Sequence, residues 1–128
     1  MNGAQIVQTW SGVPCSYPRE ILNIATRLGL IIKDTTWGND ACPSFLIVRP
    51  RSHVFPSDTP LLKVYHDTDD PEQRETMSGV KFQAVLITAD EDEDYDTLYE
   101  VETDWEIISA VRQLLRLAGI PVGYGGAS

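Results

Sequence analysis

The residues best equipped for chemistry lie within ten positions, Thr35-Thr36-Trp37-Gly38-Asn39-Asp40-Ala41-Cys42-Pro43-Ser44. They bring an indole, an amide, a carboxylate, a thiol and hydroxyls into one loop whose Gly38 and Pro43 direct the backbone. Cys42 would serve as a nucleophile if His53 or His66 drew off its proton, because the thiolate is the reactive form. Against that chemistry, Pro43 and the apolar run behind it place Cys42 at the entry of a buried strand, where a thiol is inert. Asn39 and Asp40 have the character of turn and capping residues. Trp37, Asn39, Asp40, Cys42, Ser44 and His66 therefore define an alternative reading, a small-ligand or hydrolytic pocket at the Trp37–Ser44 loop, with no motif that names a substrate.

The second concentration of chemistry is charge. From Asp90 to Glu106 the chain carries ten acids and no Lys or Arg, so this segment holds −10 while the whole protein is −9 and the remainder only +1. A chain so balanced repels nucleic acid, since no basic stripe displaces phosphate counterions. The same carboxylates suit a basic protein surface, which they attract over distance. Asp90, Glu91, Asp92, Glu93, Asp94, Asp96, Glu100 and Glu102 are accordingly the expected binding face for a protein partner.

Other chemistries fail on spacing. Asp90, Asp92, Asp94 and Asp96 alternate as in a calcium loop, but Tyr95 stands where the turn glycine belongs and Val101 where the bidentate Glu belongs. Cys15, Cys42, His53 and His66 form no close-spaced zinc pair. The only glycine cluster follows a helix rather than joining a strand to one, so no phosphate loop is present. No catalytic residue, metal or cofactor is expected, and the chain reads as non-enzymatic.

These residues need a scaffold, and 128 residues suffice for one domain with a real core. The expected arrangement is α+β, a meander of four or five antiparallel strands between an N-terminal and a C-terminal helix packed on one face, over residues 1–121 with a flexible tail at 122–128. Gln5–Trp10 reads as a short edge strand broken by Ser11-Gly12-Val13-Pro14. Helix one starts near Pro18, with Ser16 or Tyr17 as cap, and presents Ile21, Leu22, Ala25 and Leu28 on one face before Gly29. Strands follow at Phe45–Arg49 and Leu61–His66, the latter placing Leu62, Val64 and His66 on one side. Lys81–Thr88 is an interior strand, and Thr97–Glu102 pairs with it as a hairpin across the acidic loop. Asp70–Glu75 is expected to form a helical turn. Thr103-Asp104-Trp105-Glu106 is a capping box opening helix two, with Trp105 covering the sheet edge; Gly119 and Pro121 end that helix.

No apolar run approaches the roughly 20 residues of a membrane span, and the first residues lack a basic region with an apolar block, so a cytoplasmic protein with no membrane partner is expected. Two widely separated cysteines fit a reducing compartment.

The stretch Trp37-Gly38-Asn39-Asp40-Ala41-Cys42-Pro43-Ser44, with Tyr65-His66-Asp67, Asp70-Pro71-Glu72 and Arg74-Glu75, resembles patterns in small bacterial and bacteriophage proteins of unassigned activity. The resemblance covers two patches and transfers neither a catalytic residue nor a cofactor. It implies a mobile-element origin, and by analogy of class an inhibitor of a host protein. The reading is thus an interaction module whose acidic face binds or inhibits a basic protein, a nucleic-acid-binding one being a natural target.

Overall fold

A computed structural model of the chain describes residues 4–8, 14–34, 43–54, 56–67, 72, 79–87 and 93–122. In order, they form β1 (Ala4–Gln8), β2 (Pro14–Pro18), α1 (Glu20–Arg27), β3 (Ile31–Asp34), β4 (Ser44–Arg49), β5 (Thr59–His66), β6 (Phe82–Ile87), β7 (Glu93–Val101) and α2 (Asp104–Leu117). Strands β3 to β7 make a five-stranded antiparallel sheet in sequence order, while β1 and β2 form a separate hairpin. The class is α+β, as the sequence leads one to expect.

Cross-strand partners share a face, so the register sorts the side chains. Phe45, Ile47, Leu62, Val64, Phe82, Ala84, Tyr99 and Val101 are matched across neighbouring strands and belong to one face. That face joins Ile21, Ile24 and Ala25 of α1 and Ile107, Ala110, Val111, Leu114 and Leu115 of α2 in a single core. Both helices therefore cover the same side of the sheet. Their buried positions recur three and four residues apart, the spacing that puts a stripe on one helix face.

Helix two begins as the sequence implies. The Thr103 hydroxyl accepts from the Glu106 amide at 3.4 Å, and the Glu106 carboxylate accepts from the Thr103 amide at 3.0 Å and from the Thr103 hydroxyl at 2.8 Å. Two otherwise unpaired end amides are satisfied together. Thr103→Ala is expected to lower stability by about 1 kcal/mol, the usual loss for a removed N-cap, with a matching drop in the midpoint of urea unfolding. Gly29 and Gly119 close the two helices with φ of +74° and +87°, a left-handed geometry that a side chain would strain.

Three expectations need correction. Pro14, expected to close the break Ser11–Pro14, instead opens strand β2, in register with β1 from Gln8↔Pro14 to Ala4↔Pro18; the rest of that break lies outside the described residues. Pro18 ends that strand, so helix one is capped neither by Ser16 nor by Tyr17; Arg19 occupies the N-cap in a helical conformation with no side-chain cap. The hairpin partner starts at Glu93 instead of Thr97: Glu93 pairs with Ile87 and Asp94 with Leu86. The helical turn expected at Asp70–Glu75 lies, apart from Glu72, outside the described residues, as does the tail beyond Val122.

Candidate functional site

Strand β7 is the last strand of the sheet and is laddered on one side only, to β6, among the described residues. Its pairing is one-to-one from Leu98↔Val85 to Val101↔Phe82, then jumps to Asp94↔Leu86, so residues 95–97 bulge out of the ladder. Such a bulge bends and twists an edge. The regularly paired part, Leu98–Val101, is followed after Glu102 and the cap residue Thr103 by the first turn of α2.

Along this run Glu100, Glu102 and Asp104 are exposed. Glu100 Oε2 accepts from the Gln83 side chain at 2.9 Å, which holds its carboxylate on the sheet face opposite the helices. The Glu106 carboxyl is held below its usual range, first by the Thr103 hydroxyl and then by the Thr103 and Glu102 amides that donate to it. A carboxyl so held supports the fold once ionised, and that support disappears as pH falls below the ordinary carboxylate range. Asp58 shifts the same way, through the Arg51 amide at 2.8 Å and then the Lys33 ammonium at 3.2 Å. Acid titration of thermal stability is expected to show a loss over that range, and Glu106→Gln is expected to shrink it.

On the helix side of the same edge lies a groove of about 380 Å³ between β7 and α2. Tyr99, Val101, Trp105 and Ala110 supply its apolar wall, and Arg112 and Arg116 stand farther along α2. Arg112 is tied to Glu20 of α1 at 3.5 Å. Trp105 is 69% exposed, so it borders the sheet edge without covering it, contrary to expectation. An indole left this open beside an edge strand is the feature that sequence reasoning missed. Its position two residues after the helix cap was the available signal, because a side chain in the first turn sits at the end of the buried stripe. A second groove, about 690 Å³, separates the ends of the two helices between Arg27, Leu28, Arg116 and Ile120.

The alternative pocket divides. Trp37, Asn39, Asp40 and Cys42 lie outside the described residues; Ser44 and His66 are described and both are buried. Ser44 is in register with Tyr65 and hence on the opposite face from His66, whose amide donates to the Pro43 carbonyl at 3.0 Å. The His66 ring, 1% exposed, packs against Tyr17 and Phe45 at centroid distances of 4.7 and 5.7 Å, and those two rings are themselves 4.6 Å apart. Tyr17 reaches it from β2, so the hairpin plugs this end of the sheet. Asp67 and Lys81 are buried beside it: the Asp67 amide donates to the Lys81 carbonyl at 2.7 Å, and Lys81 Nζ lies 3.2 Å from Ser16 Oγ and 4.9 Å from the Phe82 centroid. His53 is exposed in the loop after β4.

Of the acidic face, Asp90, Glu91 and Asp92 lie outside the described residues, and Glu93, Asp94 and Asp96 are placed by backbone alone, in β7. Among the described residues no group of three or more His, Cys, Asp or Glu is arranged to hold a metal ion. None of the described helices is long and apolar enough to cross a membrane. Comparison of the chain with protein families, with curated proteins and with solved structures returns no match.

Proposed function

We propose that this protein is a non-enzymatic interaction module that binds a basic surface of another protein through the outer edge of β7 and the first turn of α2. One observation carries the reading: Glu100, Glu102 and Asp104 are exposed in succession along an edge strand and the helix start it leads into, next to an open Trp105. Carboxylates in such a row offer a cationic partner what a phosphate backbone offers, and they raise encounter rates by steering. A nucleic-acid-binding protein is the natural target, and the resemblance to small bacterial and bacteriophage proteins adds inhibition as the consequence of binding. The small-ligand reading at the Trp37–Ser44 loop is not carried further, because both of its described members, Ser44 and His66, are buried.

The experiment is affinity capture from extracts of the producing cell, with the protein and its Glu100→Lys, Glu102→Lys, Asp104→Lys variant side by side at low salt. A basic protein retained by the first and lost by the second is the expected result. Equal capture by both would refute the reading.

A further inference from the structure

We infer that the occupant of the β7 edge is an extended segment of a partner protein, in which apolar and basic residues alternate, added to the sheet as a sixth strand. The inference rests on the acidic-face reading and specifies how that face is used.

Strand addition joins main-chain pairing, which supplies affinity, to side-chain sites on alternate residues, which supply specificity. Both parts are present. Leu98–Val101 pairs one-to-one with β6 on its inner side and belongs to the terminal strand of the sheet among the described residues. The bulge at 95–97 ends this regularly paired stretch on one side and α2 ends it on the other, so the edge accepts a short strand and not a long one.

Alternation follows from the two faces. Tyr99 and Val101 point to the helix side and line the groove with Trp105 and Ala110. Residues of an added strand opposite Tyr99 and Val101 would enter this apolar groove. Tyr99, Val101, Trp105 and Ala110 favour apolar side chains there, while Glu106, Arg112 and Arg116 bring charges of both signs to the same groove. Glu100 belongs to the other face, and Glu102 follows the end of the strand; both are exposed. The intervening residues of an added strand fall beside these carboxylates and are therefore basic. A second copy of this chain is the wrong occupant, because pairing β7 with β7 would set carboxylates against carboxylates.

The test uses the intact protein and a capped synthetic peptide of alternating Val or Ile and Lys. Two control peptides accompany it: one of identical composition with the lysines gathered in a block, and one N-methylated at alternate residues along a single edge. Binding is measured by titration, and backbone amide shifts of Leu98, Tyr99, Glu100 and Val101 are followed by NMR. The alternating peptide is expected to shift those amides, and N-methylation or block order to weaken it about tenfold or more, as loss of a binding hot spot does. Trp105→Ala, at an exposed position that leaves folding intact, is expected to cost a comparable factor. If the block and N-methylated peptides bind as tightly as the alternating one, strand addition is overturned while the acidic-face reading survives. Failure of every basic peptide to bind at low salt overturns both. Shifts of the β7 amides with protein concentration alone would assign the edge to a second copy and overturn the proposal.

Discussion

Phe82→Ala is expected to lose about 3–5 kcal/mol, the range for deleting a buried aromatic ring, and thereby a large share of the stability of an ordinary small domain. Phe82 has no exposed surface and begins β6, between His66 of β5 and Val101 of β7 in register. Its ring adjoins the Lys81 ammonium at 4.9 Å, so its loss also removes the apolar cover over a buried cation. Since β6 is the strand on which β7 is built, the acidic edge should disappear with the core in one transition. Coincident unfolding curves from tryptophan fluorescence and far-UV circular dichroism, displaced to lower denaturant, would show this. A variant as stable as the parent would mean that the core is centred elsewhere.

Reversing charge at Glu100, Glu102 and Asp104 is expected to leave the fold intact and to slow association with a basic partner by about one to three decades at low salt, the span attributed to electrostatic steering. The three side chains are exposed. Glu100 forfeits the hydrogen bond from Gln83, and the capping box uses Thr103 and Glu106 instead. Dissociation should change less than association, because steering acts on encounter. Stopped-flow mixing separates the two rates.

What the sequence discloses depends on how local the cause is. The start of α2 is legible because four adjacent residues hold the whole capping box, and the spacing of Ile107, Ala110, Val111, Leu114 and Leu115 defines the buried stripe. The alternation of Leu62, Val64 and His66 likewise marks their shared face, and all three are buried. Strand β2 is not legible, because Pro14 and Pro18 bracket it as punctuation and only pairing with β1 draws it out. Glu93 and Asp94 read as solvated loop for the same reason: their strand conformation comes from Ile87 and Leu86 across the ladder. At the site, the carboxylates are plain in the composition. Their position on a sheet edge, and the openness of Trp105 beside it, depend on strand order and on where the helix stripe ends, neither of which is a property of any short stretch.

Exposed charges farther apart than about 10 Å are screened at 0.1 M ionic strength, and this gives the most direct test of the acidic edge. The measurement is the association rate with the captured basic partner as ionic strength rises through that range, for the protein and for the Glu100→Lys, Glu102→Lys, Asp104→Lys variant. A steep fall is expected for the protein and a flat or rising line for the variant. A rate that ignores salt in the unaltered protein, or identical lines for the two, would contradict it.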